Sequence, residues 1–104
     1  MYKILISVVV NLLATGVFAQ LTTISGTVTG NSEPIEFANI YLVEAERGAI
    51  TNADGRFIIE RVRPGTYTLR VSFVGYQPYE KKITASYGDD ISLDIKLEQL
   101  NVRG

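Results

Sequence analysis

Apolar and polar residues alternate along most of the chain after residue 22, which is the pattern of strands that bury one face. Turn signals separate these short runs about every ten residues. No segment keeps an apolar stripe at helical spacing over three turns. The pattern predicts an all-β fold of about seven antiparallel strands packed as a sandwich. The clearest strand covers residues 66–74, and we expect its aromatic residues Tyr67 and Phe73 to be large contributors to the core.

A polar cluster between two apolar ends predicts the sharpest turn, with Asn52, Asp54 and Gly55 as its key residues. Asn and Asp bond to their own main chain, and Gly takes positive φ without a Cβ clash. An Asp-Gly pair in this setting indicates a hairpin. The hairpin would allow Ile50 and Phe57 to enter the core.

Two further turns follow from proline and glycine. Pro64 and Gly65 stand between alternating runs and predict a type II turn, because Pro fixes φ and Gly accepts a positive φ. Gly75 ends the clearest strand and predicts another structural turn.

The N-terminus has the composition of an export signal. One cation, Lys3, precedes an apolar run of about fifteen residues, which is short of the roughly 20 needed to span a membrane. The residues Val17-Phe18-Ala19 have the small-residue spacing that a signal peptidase recognises. Residues 1–19 are therefore predicted to be a helical signal peptide that is removed before Gln20.

Composition excludes several kinds of chemistry. Ten Lys and Arg balance eleven Asp and Glu, and the absence of a long basic block argues against a nucleic-acid partner. The chain has no His and no Cys. This removes the commonest general base and metal ligand, thiol catalysis and disulfides. We expect no enzyme activity, no cofactor and no metal site.

Acidic residues are candidates for two kinds of functional site, a calcium site and an acid/base pair. Asp54 with Asn52, and the pair Asp89-Asp90, could supply oxygen ligands to calcium, but a calcium loop uses several acidic residues at alternating positions. Turn chemistry is the simpler interpretation of both. Glu60 and Glu80 could form an acid/base pair only if a cleft held them about 5–10 Å apart. A small sandwich predicts no such cleft.

Tyrosines are the candidates for a binding surface. Tyr76, Tyr79 and Tyr87 are the tyrosines expected to be exposed, and the first two are close enough in sequence to form one patch. Exposed aromatic faces could stack on carbohydrate or contact a partner protein, although tyrosine is also common in strands.

Several motifs in order resemble the carboxypeptidase regulatory-like domain, a Greek-key β-sandwich of the transthyretin (prealbumin) type. The resemblance covers about residues 23–98. The motifs are Ile24-Ser25-Gly26-Thr27-Val28, Ala38-Asn39-Ile40, residues 48–57, residues 62–69 and Phe73-Val74-Gly75-Tyr76. One departure is Asn52, where the family usually has Asp, and Asn serves a turn equally well.

The resemblance implies a role as well as a fold. Similar domains carry no catalytic residues, and many follow the signal peptide of TonB-dependent outer-membrane receptors in Gram-negative bacteria. The implied division is a signal peptide at 1–19, the sandwich at 20–98, and a linker or the start of a plug region at 99–104. The chain would then be exported and act in the periplasm or at the outer membrane. The implied partner is a receptor plug and barrel or the energising machinery.

Two questions stay open at this point. The chain is either a fragment of a longer receptor or a free-standing periplasmic domain. A carbohydrate-binding module of an exported or surface system is the alternative to a protein-contacting accessory domain.

Overall fold

Eight strands form two sheets in residues 21–101, the part of the chain that the computed structural model describes. The strands are β1 (Thr22–Gly30), β2 (Glu33–Pro34), β3 (Asn39–Leu42), β4 (Arg47–Ile50), β5 (Arg56–Val62), β6 (Gly65–Ser72), β7 (Tyr79–Ala85) and β8 (Asp90–Leu97). No helix in this range is long and apolar enough to cross a membrane. The predicted signal peptide lies outside the described residues.

The two sheets pair as the sandwich prediction requires, with one exception. In the first sheet, β1 pairs antiparallel with β2 and β5 and parallel with β8. In the second sheet the order is β4-β3-β6-β7, and every pair is antiparallel. The predicted all-β sandwich is confirmed. The exception is the β1–β8 pair, which runs parallel over the whole of β8.

The alternation along each strand correctly marks the buried faces. Fully buried side chains include Ile24, Ile40, Leu69, Val71 and Ile95. The core is therefore built from branched aliphatic residues contributed by both sheets.

The two aromatic residues of the clearest strand contribute less to the core than expected. Tyr67 and Phe73 are only partly buried and pack against the rim of the core. Both lie near the ends of β6, and the Tyr67 hydroxyl donates a hydrogen bond to the Arg63 carbonyl oxygen at 2.7 Å. Their rings cover the ends of the sandwich rather than its centre.

The turn at residues 52–55 forms, but it is not a hairpin. It joins β4 of the second sheet to β5 of the first, and these strands do not pair with each other. The Gly55 N–H donates to the Asn52 carbonyl oxygen at 2.9 Å, and the Asn52 side-chain oxygen accepts from the N–H groups of Asp54 and Arg56. The prediction of a turn is right, and the prediction of paired strands is wrong.

The sequence predicted that both residues flanking this turn, Ile50 and Phe57, enter the core, and only Phe57 does so. Phe57 is buried, but Ile50 is 64% exposed, and Thr51 is buried in its place. Ile50 lies opposite Asn39 in the register of β4 and β3, on the outer face of the second sheet. Where the chain changes sheet, Thr51 faces inward and Ile50 faces outward.

The other predicted turns also differ in detail. Gly65 has φ of 155°, far from the value near 80° that a type II turn needs, so Pro64-Gly65 forms a corner between the sheets. Gly75 has φ of 87° and lies in a turn closed by a bond from the Tyr76 N–H to the Phe73 carbonyl oxygen. The φ near 80° that was expected for Gly65 is therefore found at Gly75 instead.

Arg47 joins the sheets along one side of the sandwich. Its guanidinium donates to the carbonyl oxygens of Glu60 and Arg61 at 2.5 and 2.9 Å. These carbonyls belong to β5, whereas Arg47 begins β4 in the other sheet. A charged planar donor thus satisfies backbone acceptors of an edge strand that has no neighbour there.

Glu44 connects the β3–β4 turn to β6. Its carboxylate accepts from the Thr68 N–H at 2.6 Å and from the Thr68 hydroxyl at 2.9 Å. The backbone hydrogen bond is the largest reason that the pKa of Glu44 lies below its ordinary value of 4.5. Because the pKa is lowered by folding, the ionised group stabilises the fold above its unfolded-state pKa, and this stabilisation is lost as the pH falls through the folded-state pKa.

We expect Glu44→Gln to lower the melting temperature near neutral pH and to lose this deficit as the pH falls from the ordinary pKa of 4.5 through the lower pKa of the folded state. Differential scanning calorimetry across this range measures the gap between the variant and the parent. Glu46→Gln, in the same turn, is the control, because it removes an exposed carboxylate that accepts no side-chain hydrogen bond from Thr68. A constant gap for Glu44→Gln would contradict the role of its carboxylate.

Gly55→Ala should destabilise the domain more than Gly75→Ala. Both glycines have positive φ, which costs an L-residue about 1–2 kcal/mol. A Cβ at Gly55 would lie 2.6 Å from the Val28 carbonyl oxygen, whereas a Cβ at Gly75 would meet nothing within 4 Å. The overpacking adds about 1–3 kcal/mol at Gly55. Urea unfolding measures both variants, and equal losses would show that the space around Gly55 relaxes freely.

Candidate interaction surface

One end of the sandwich exposes an apolar groove, which we call the apolar patch. Its lining residues are Phe37, Phe73, Val74, Tyr76 and Pro78, together with Ser72. Val74 is 89% exposed and Phe37 is 69% exposed. The rings of Phe73 and Tyr76 pack at a centroid distance of 6.0 Å and a tilt of 41°. None of the lining side chains carries a charge.

Phe37 reaches this position through a strained backbone. Its φ is 67°, a left-handed value that is rare for a bulky residue. The Phe37 N–H donates to the Thr51 carbonyl oxygen at 3.0 Å, which holds the strained residue in place. The aromatic ring consequently points into solvent instead of into the core.

The side chain of Thr51 fixes the segment on both sides of Phe37. Its hydroxyl donates to the Ile35 carbonyl oxygen at 2.6 Å and accepts from the Ala38 N–H at 2.8 Å. Thr51 is 2% exposed, so these are bonds between groups that water does not reach. The sequence alone does not mark Thr51, because a threonine that bonds distant backbone fits a strand equally well without that bond.

Tyr76 belongs to the apolar patch and is half-buried. Its ring lies against Gly30, where a Cβ would come within 2.5 Å of the ring, so glycine leaves room for the tyrosine. Its backbone also forms an isolated antiparallel bridge with Gln99. Tyr76 is therefore the predicted surface tyrosine that the structure places at the patch.

The other two predicted tyrosines lie elsewhere. Tyr79 begins β7 on its inner face, pairs with Val71 and is half-buried against the core. Tyr87 is 71% exposed in the loop after β7, at the opposite end of that strand. A seven-residue strand spans about 20 Å, so the three residues do not form one platform. The surface that sequence reasoning missed is Phe37 and Val74.

One sequence signal could have indicated Val74. It follows Phe73 directly, so two adjacent large apolar residues break the alternation just before Gly75. Only one of them can face inward on a pleated strand. Phe37 gives no comparable signal, since its exposure depends on its backbone angle.

The acidic candidates are part of turns. The Asn52 side chain holds the turn that contains exposed Asp54, and the Asp89 carboxylate accepts from the Ser86 N–H at 3.1 Å in the β7–β8 loop, just before Asp90 begins β8. Among residues 21–101, no three acidic side chains gather as a metal site would require. The expectation that the chain binds no metal or other cofactor stays a prediction.

The two carboxylates considered for acid/base work are separated by the fold. Glu60 lies on β5 in the first sheet, and Glu80 lies on β7 in the second. Glu80 forms an ion pair with Arg70, with a nitrogen–oxygen distance of 2.9 Å on the exposed face. The structure does not bring the pair together.

The fold is a small β-sandwich, and comparisons with known proteins define its family. The model of the CarboxypepD_reg-like domain matches residues 24–103. The chain therefore belongs to the CarboxypepD_reg-like domain family, which confirms the resemblance drawn from the motifs.

Two curated relatives are receptors. The chain is 34% identical over 87 residues to the TonB-dependent receptor SusC of Bacteroides thetaiotaomicron, and 30% identical over 79 residues to the TonB-dependent receptor P39 of Formosa agariphila. The matched stretches cover 82% and 75% of this chain. They make up only 8% of each receptor, so the chain corresponds to a small part of these relatives.

Solved structures share the fold at low identity. A cohesin–X-dockerin complex from Acetivibrio cellulolyticus matches with a TM-score of 0.65 and 21% identity, over 75% of this chain and 58% of that chain. A putative carbohydrate binding protein from Bacteroides uniformis matches with a TM-score of 0.55 and 16% identity, over 73% of this chain and 40% of that chain. At these identities the likeness describes the fold alone.

Thr51→Val should destabilise the domain by about 2–4 kcal/mol, because it leaves the Ala38 N–H and the Ile35 carbonyl oxygen buried without a partner. Chemical denaturation gives the loss, and amide hydrogen exchange at Ala38 should become faster. Thr66→Val changes an exposed threonine and is the matched control, with an expected change within about 0.5 kcal/mol. A similar loss in both variants would contradict the role of the Thr51 hydroxyl.

Proposed function

We infer that the chain is a non-catalytic accessory domain of a TonB-dependent outer-membrane receptor, placed before the plug and barrel and working in the periplasm through protein contacts. The observation that carries this proposal is the similarity of most of the chain to two such receptors. Residues 1–19 have the composition of a signal peptide, which fits export to that compartment.

The described side chains support contact rather than catalysis. The apolar patch offers exposed aromatic and aliphatic surface, which marks sites of protein contact when it is contiguous. The acidic residues that could have formed a site instead hold turns or lie on separate sheets. A contact surface and a scattered set of carboxylates favour a docking role.

The carbohydrate alternative has less support. It requires aromatic faces gathered with polar groups that would bind hydroxyls. Tyr76 and Tyr79 are half-buried, and Tyr87 lies at the far end of β7. The polar side-chain groups that line the patch are two hydroxyls, those of Ser72 and Tyr76. We therefore favour a protein partner over a sugar.

We expect the natural product of the gene to start at Gln20 and to fractionate with the outer membrane. An antibody against this domain should detect a polypeptide many times heavier than the 11.5 kDa chain. Mass spectrometry of the N-terminus and separation of inner membrane, outer membrane and periplasm make the measurement. An intact Met1 in a cytoplasmic fraction would contradict the proposal. The variant Ala19→Arg is the control for processing and should leave the N-terminal segment uncleaved.

A further inference from the structure

The apolar patch combines two unfavourable features at one place. Phe37 has a left-handed backbone and is also 69% exposed, although either feature alone disfavours a large aromatic residue. Val74, across the groove, is 89% exposed. The hydrogen bonds of Thr51 hold this arrangement in the free domain. A structure that maintains a strained and exposed ring indicates a surface that binds a partner.

The charges near the patch indicate what kind of partner fits. Glu36 directly precedes Phe37 and is exposed. Glu98 lines the neighbouring depression, which it shares with Pro78 and Lys96. The only ion pair among residues 21–101 joins Arg70 and Glu80, so neither glutamate has a cationic partner in that range. An apolar surface bordered by free carboxylates fits a partner segment that carries apolar residues next to Lys or Arg.

The chain itself leaves the sandwich at this surface. The Leu100 N–H donates to the Gly75 carbonyl oxygen at 3.0 Å, and Gln99 bridges to Tyr76. Residues 98–100 therefore run antiparallel to the segment that carries the patch. The sequence continues from Asn101 with Val102-Arg103, an apolar residue followed by a cation. Whatever follows in the same polypeptide starts next to the patch at a high effective concentration.

We propose that the apolar patch is the docking surface for the receptor polypeptide that follows this domain, so that the domain is held against its own receptor and does not move freely on a linker. The inference rests on the proposed function. A second copy is a poorer occupant, because patch-to-patch contact would bring the carboxylate of Glu36 towards that of the partner copy. An anionic membrane surface is disfavoured for the same reason.

Photo-crosslinking in the full-length receptor tests the docking surface directly. The photoreactive residue p-benzoylphenylalanine replaces Val74, and in a matched control it replaces Tyr87, which is 71% exposed at the other end of β7. We expect the Val74 probe to crosslink within the same polypeptide to residues beyond Gly104, at a yield several-fold above the Tyr87 probe. Mass spectrometry identifies the crosslinked peptide, which should carry apolar residues next to Lys or Arg.

A charge reversal tests the complementarity. Glu36→Lys in the Val74-probe receptor should lower the crosslink yield several-fold, and raising the salt concentration should also lower it. Glu46→Lys reverses an exposed charge in the β3–β4 turn and should leave the yield unchanged. Equal effects of the two reversals would overturn the assigned role of the acidic border.

The outcomes separate the two proposals. Equal crosslinking from Val74 and Tyr87, crosslinks confined to residues 101–104, or crosslinks to a second copy, a separate protein, lipid or glycan would overturn the docking surface while leaving a receptor in place. A gene that encodes no receptor after Gly104 would overturn the proposed function and the docking surface together.

Discussion

The buried hydroxyl of Thr51 is the interaction on which the arrangement of the two sheets and of the exposed surface depends. It lies where the chain leaves β4 for the other sheet, and it bonds backbone on both sides of Phe37. The turn at Asn52 follows at once and delivers Phe57 to the core. Because Gly55 approaches the Val28 carbonyl oxygen, this corner is also locked to β1. One short segment thus ties the second sheet to the first.

The closure of the sandwich differs between its two sides. Arg47 joins the edges of β4 and β5 by donating to backbone carbonyls. On the other side, β7 is an edge strand on which Lys81 lies opposite Leu69, at an inward register position. Lys81 is itself exposed, and a lysine on an edge strand discourages another strand from pairing there. Edge pairing at β7 is therefore a less suitable mode of docking than contact through the loops at the end.

The alternation of apolar and polar residues predicted which face each strand buries, but it did not predict which strands pair. The period of two identifies the face that a strand buries, so residues such as Leu69 and Ile95 were placed correctly. The same period does not say which strand lies next to which. The turn at Asn52 was therefore given paired strands, although it connects two sheets, and the parallel pairing of β8 with β1 was not foreseen.

The missed part of the candidate surface has a related cause. Exposure of Phe37 follows from a positive φ, and that angle is set by hydrogen bonds to Thr51, fourteen residues further along the chain. A single sequence carries no local signal for such a bond, because Thr51 fits a strand equally well with or without it. Tyrosines were chosen as surface candidates because the tyrosine side chain is amphipathic. In the structure, packing against Gly30 half-buries Tyr76, and packing against the core half-buries Tyr79.

The motif at residues 48–57 is part of the structure that supports the apolar patch. This motif lies within the family match, and it includes Thr51, which holds Phe37 in place. Gly75 turns the chain so that Val74 and Tyr76 flank the groove, and the exit segment pairs with that turn. The turns that close this sandwich therefore also hold the side chains that it exposes at one end. A partner that binds the patch would contact Phe37, whose backbone is bonded to Thr51 at the corner that joins the sheets.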